Sequence, residues 1–131
     1  MSTIQYKEEL PDGCPPLDAE DIQGIVFYRL VASHPPTEKD FLSLKALNPS
    51  KNHKSLECEA RAVSVSVELN GALDLLKLPT QKGKLIAKLN LGGNTGKYKR
   101  TFARAHHHSW WIYNSCDPLS FCEAVKMDKT E

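Results

Sequence analysis

Residues Arg61 to Glu68 alternate with a period of two. Val63, Val65 and Val67 fall on one side of an extended chain; Ala62, Ser64, Ser66 and Glu68 fall on the other. Successive side chains of a strand point to opposite faces, so this pattern reads as a strand with its valine face on the core. The serine face is either solvated or lines a site. The chain is thereby committed to a sheet. Ile22 to Val31 supplies a nearly continuous apolar run, as a strand buried on both faces would. Lys84 to Leu91 reads as another, with Leu85, Ala87, Leu89 and Leu91 on one face.

Helical spacing appears twice. Phe41, Leu44 and Leu47 predict a short helix over 38–47, opened by Thr37 with Asp40 three residues on, and closed by Pro49. Leu69, Ala72, Leu73 and Leu76 predict a second that ends before Pro79. Residues 48–57 read as a polar loop, Tyr98 to Tyr113 as strand broken near Ala105, and Phe121 to Met127 as a final strand. The order β-α-β-α-β-β-β predicts an α+β fold, a single domain over 22–131 with a mostly antiparallel sheet and two short helices. Residues 1–21 read as a loosely ordered acidic arm, broken by Pro11, Gly13, Pro15 and Pro16, that either docks on the basic half or a partner or frays as a terminus. With 131 residues, 40% hydrophobic and 25% charged, the chain has the composition of one globular domain. No apolar run is long enough to span a bilayer. The first ten residues carry no secretory pattern, so a cytoplasmic address is expected, with a microbial source.

Charge is unevenly placed. Residues 1–60 carry ten acids and six bases, and residues 61–131 six acids and eleven bases. Between Asp74 and Asp117 there is no acid, while Lys77, Lys82, Lys84, Lys88, Lys97, Lys99, Arg100 and Arg104 are all basic. Such asymmetry favours an anionic partner, unless the acidic half folds over the basic one. The four cysteines, Cys14, Cys58, Cys116 and Cys122, show no two-residue spacing of a zinc or redox motif. Reduced thiols are expected of a cytosolic chain.

His106-His107-His108-Ser109-Trp110-Trp111 is the most unusual run. On a strand, His106, His108 and Trp110 share one face, and His107, Ser109, Trp111 and Tyr113 the other. Paired imidazoles on one face can present nitrogen to a metal, with His34, His53, Glu59, Glu68 or Asp117 as further ligands. Imidazoles also serve as a general base near neutral pH. Aromatic rings beside bases make a stacking platform: Trp110 and Tyr113, with Lys97, Lys99, Arg100 and Arg104 neutralising phosphates. One tryptophan is expected in the core in any case. The run Leu91 to Lys97 departs from a phosphate loop, with Leu91 where the first glycine belongs and Tyr98 after the lysine. It reads as a hairpin turn.

Tyr28-Arg29 late in the first strand, and Val63-Ser64-Val65-Ser66 followed at once by a helix, resemble the ADP-ribosyltransferase fold and its compact RES-type branch. The resemblance covers roughly residues 25–91. It implies that Arg29 and Tyr28 hold a dinucleotide, that Ser64 bonds the nicotinamide ribose, and that His106 or His108 lies near the reacting bond. That class carries a catalytic glutamate on a later strand. This chain has histidines there, so Glu123 or Glu68 would have to substitute.

Three functions follow as expectations. The first is a small non-catalytic binding protein whose basic, aromatic C-terminal sheet takes an anionic ligand: nucleic acid, nucleotide phosphate or an acidic protein surface. The second is an ADP-ribosyltransferase-like enzyme or NAD hydrolase using Arg29, Ser64, His106 and His108. The third is a metal-binding protein built on His106 and His108. No cofactor and no oligomeric state is assigned.

Overall fold

The longest ladder in the computed structural model, which describes residues 5–101 and 107–125, joins the two apolar strands read from the sequence. β1 spans Glu20–Asp21, β2 Ile25–Val31, β3 Val63–Ser66, β4 Leu85–Leu91, β5 Gly96–Arg100, β6 His107–Ile112 and β7 Cys122–Ala124. All pairings are antiparallel, in one seven-stranded sheet of order β1-β5-β6-β3-β2-β4-β7. Among the described residues three short helices accompany it: α1 (Leu44–Leu47), α2 (Glu57–Ala60) and α3 (Leu69–Leu76). The α+β class with an antiparallel sheet is as the sequence predicts. β1 and α2 are additional to that reading.

Register sorts the side chains into two faces. Phe27, Arg29 and Val31 lie beside Leu89, Ala87 and Leu85, and Val63 beside Trp110. These residues, with Ile112 and Tyr98, form the face that carries the main core. Phe27 and Tyr98 sit on strands separated by two others, about 14 Å apart in a flat sheet. Their rings nevertheless meet at 5.7 Å, and Phe27 meets Trp110 at the same distance. The sheet therefore curls, with the core on its concave side. This curl explains an error of sequence reading. The residues between Leu91 and Gly96 do not form a hairpin, because β4 and β5 are not neighbours; three strands lie between them. Four residues make the crossing because the curled edges approach each other.

The helix predicted over 38–47 is broken in two. A 3-10 turn spans Glu38–Phe41, and α1 begins after Ser43. The break is local chemistry. Ser43 donates its N–H to Glu8 Oε2 (3.0 Å) and its hydroxyl to Glu8 Oε1 (2.5 Å), and its Oγ caps Ala46 N–H. Asp40 accepts from Thr37 N–H and Ala32 N–H, both at 2.9 Å, so the expected aspartate at the helix start does close the turn. α3 has the predicted bounds and packs on β2 and β3, with Ala72 buried. The final strand is confined to Cys122–Ala124; Met127 lies outside the described residues.

The arm expected to be loose is fastened along its described length. Tyr6 bridges Tyr113, and Asn114 N–H donates to the Gln5 carbonyl at 2.7 Å. Cys14 is bonded to Cys58, with Cα atoms 5.6 Å apart. The expectation of four reduced thiols is thus corrected. A separation of 44 residues carries no local signal, so only the fold reveals the pair. The disulfide belongs to a second apolar cluster of Ala19, Ala62 and Trp111, on the other face of the sheet, packed by Tyr6 and Leu10.

Candidate functional site

β5 is where the basic sequence meets the acidic arm. Alternation along the strand turns Lys97 and Lys99 to one face and Tyr98 and Arg100 to the other. Asp21 lies opposite Lys97 and Glu20 opposite Tyr98. Lys99 Nζ stands 2.8 Å from Asp18 Oδ2. That contact, chiefly as a hydrogen bond, holds the Asp18 carboxyl below the usual range. The pair is wet, with side-chain exposures of 34% for Lys99 and 70% for Asp18, so it is readily exchanged for another anion. Among the described residues, Lys97 and Arg100 make no ion pair. Arg104 and His106 lie outside the described residues.

The aromatic half of the expected platform is core. Trp110 is fully buried and its indole N–H donates to the Thr95 carbonyl at 3.2 Å. Trp111 is 1% exposed and donates to the Cys58 carbonyl at 3.0 Å. Tyr113 is buried against Tyr6, and its hydroxyl donates to Asp21. Burial and that carboxylate push the Tyr113 phenol well above its ordinary range, and burial likewise raises Tyr6. Neither Trp110 nor Tyr113 has a free ring face to offer a base. Sequence reading placed at least one tryptophan in the core; the curled sheet and the arm together bury both.

The remaining candidates are divided between the faces. Arg29 is on the concave face, where Nε donates to the Asp40 carbonyl and Nη1 to the Ser64 carbonyl, both at 2.6 Å. Its guanidinium lies 5.9 Å from the centre of the Phe41 ring. Burial, partly offset by Asp40, pushes its pKa down to about 10. Arg29 thus ties the 37–41 turn to β3. Tyr28 and Ser64 project to the opposite face; Tyr28 sits between Ser66 and Lys88, and Ser64 is exposed beside Ser109. His108 is on the concave side, stacked on Tyr98 at 5.7 Å. The four residues that the ADP-ribosyltransferase resemblance groups around one dinucleotide do not converge: Arg29 and His108 face one way, Tyr28 and Ser64 the other.

Two features escaped the sequence reading. His107 Nδ1 lies 3.0 Å from Thr101 Oγ1, which lies 2.8 Å from Ser109 Oγ, making a polar line beside β5 that is half-buried at His107 and buried at Ser109. The spacing His-x-Ser gave half of it; Thr101 is brought in only by the pairing of β5 with β6. The second is a cleft of about 270 Å³ walled by the arm at Tyr6 and by Phe41, Trp110 and Leu119, with Glu38 and Asp117 among its polar groups. Among the described residues no three His, Cys, Asp or Glu side chains gather as a metal would need. Burial pushes the free thiols of Cys116 and Cys122 up to about 11, which keeps them protonated and poor nucleophiles. No helix among the described residues is long and apolar enough to cross a membrane.

No protein-family model matches the chain, and neither a curated protein nor a solved structure does.

Proposed function

We propose that this protein is a small binding module that takes an anionic ligand on β5. The observation that carries the reading is the state of three neighbouring cations: Lys97 and Arg100 have no ion partner among the described residues, and Lys99 has only the solvated Asp18. A strand whose bases are only partly neutralised, by a solvated carboxylate on the arm, attracts phosphate or carboxylate groups. Burial of Trp110 and Tyr113 restricts recognition to charge and backbone, without base stacking. The clamp role of Arg29, and the division of Tyr28, Ser64 and His108 between faces, favour binding over NAD chemistry. A cytoplasmic location belongs to the same reading, with Cys14 and Cys58 then held as thiols by the reductants of that compartment.

Fluorescence titration with a labelled single-stranded oligonucleotide and with a labelled acidic peptide tests it. Lys99→Glu with Arg100→Glu should lower affinity for whichever ligand binds by at least about tenfold, because two charge contacts become repulsions. The melting temperature should fall only modestly, since Arg100 is exposed and the Lys99–Asp18 pair that is lost is a solvated one. Undiminished affinity in the folded double mutant removes β5 as the site.

A further inference from the structure

We infer that the outer edge of β5 docks an acidic, extended segment of a partner protein, and that residues 18–21 are its tethered occupant in the isolated chain. The inference rests on the anion-binding reading above and gives the ligand a geometry. β1 is already such a segment. Glu20 and Asp21 pair with Tyr98 and Lys97, and Asp18 holds Lys99. The pairing stops after two residues because the chain turns back, with Ala19 N–H bonded to the Pro16 carbonyl. Pro15 and Pro16 bring no amide hydrogen to a ladder.

β5 itself continues to Arg100. Thr101 N–H donates to the His107 carbonyl, so the odd-numbered residues of this strand turn their backbone groups toward β6. Gly96, Tyr98 and Arg100 turn theirs outward. The Gly96 carbonyl takes Ile22 N–H and Tyr98 meets Glu20. No described residue pairs with the outward groups of Arg100. A longer strand would satisfy all three positions and set alternate side chains over Lys97 and Lys99. Carboxylates suit those places. A second copy of β5 does not, since it would set lysine against lysine or arginine. A nucleic acid has no amide ladder to offer.

The Cys14–Cys58 disulfide biases the competition, because it holds the arm just ahead of Asp18 while Ile22, bonded to the Gly96 carbonyl, holds it just behind. Tethering keeps the arm's carboxylates at high effective concentration over β5. A dithiol reductant delivers two electrons and two protons, leaving Cys14 and Cys58 as thiols and itself as a disulfide. The arm is then held by weaker contacts, and the partner gains the edge. A reducing compartment opens the edge; an oxidising one closes it.

The test uses the full chain, oxidised and dithiothreitol-reduced, with a fluorescein-labelled peptide of alternating Glu and Thr. A second peptide of the same sequence is N-methylated on the amides of one edge. The plain peptide should bind the reduced protein about tenfold more tightly than the oxidised one, and N-methylation should cost about tenfold. Equal binding of the two peptides overturns strand addition while leaving charge recognition standing. Oligonucleotide binding without peptide binding overturns it too. Silence of all three probes removes the anion-binding reading along with the inference. Because reduction can loosen the fold, Asp18→Asn in the oxidised protein gives a second route. It frees Lys99 with the disulfide intact and should tighten peptide binding several-fold; unchanged affinity overturns the tethered-occupant role.

Discussion

Gly96 opens β5 with a backbone φ of +149°, and a Cβ there would lie against the Trp111 carbonyl and 2.5 Å from Trp110 Nε1. Neither neighbour can give way, because Trp110 is fully buried and the carbonyl belongs to β6. Gly96→Ala should therefore destabilise by about 3 kcal/mol or more, read by urea denaturation. Nothing in the sequence distinguishes Gly96 from Gly92 or Gly93, whose surroundings are open. The requirement comes from a tryptophan on the next strand. Arg29 teaches a related lesson. The ADP-ribosyltransferase resemblance implied a ligand-binding arginine, yet its Nε and Nη1 donate to the carbonyls of Asp40 and Ser64. Arg29→Lys keeps the charge but cannot reach both acceptors. It should lower stability by about 2 kcal/mol in the same assay, leaving anion affinity at β5 unchanged.

At the scale of elements, the arm is the part most misjudged from the sequence. Prolines and carboxylates describe a solvated tail, and every anchor that contradicts this is long-range: Glu8 to Ser43, Tyr6 to Tyr113, Cys14 to Cys58, Asp18 to Lys99. The strand alternations were legible because they are local. The loop closed by the disulfide predicts that reduction costs about 4 kcal/mol of stability by the chain-entropy estimate. Calorimetry of oxidised and reduced protein measures it, and an unchanged melting temperature would mean that the bridge does not form in solution. Alkylation gives an independent check. Native protein should react slowly at Cys116 and Cys122 at neutral pH, because burial raises both thiols to about 11. Acid should also release the arm. The Asp18 carboxyl is lowered by Lys99, so its contribution is complete above the ordinary carboxylate pKa and fades as pH falls through its depressed one. Protection of the amides of residues 18–21, taken relative to intrinsic exchange at each pH, should therefore fall in acid and stay constant between about pH 6 and 8.

For the whole molecule, the sheet order carries what no local pattern could. The α+β class and the strands β2, β3 and β4 follow from a continuous apolar run in β2 and apolar alternation in β3 and β4. Which strand neighbours which does not, and the supposed hairpin at Gly92 to Gly96 joins strands on opposite sides of the sheet. β3 lies at the centre, between β2 from the first half of the chain and β6 from the second. A chain truncated after Thr101 would lack β6 and leave both β3 and β5 without a partner on that side. It should lose cooperative melting altogether rather than melt at a lower temperature.

The same order has a consequence for synthesis. A ribosome delivers the arm first, but its seat on β5, Trp111 and Tyr113 is made last. The molecule cannot settle progressively from its leading end, and pairings of such long reach are slow to find. From the making of β4 until β6 follows, the sheet of β2, β3 and β4 has an unmatched edge at β3. How much native protein a cell obtains should therefore follow the shielding that the nascent chain receives more closely than the robustness of the finished fold.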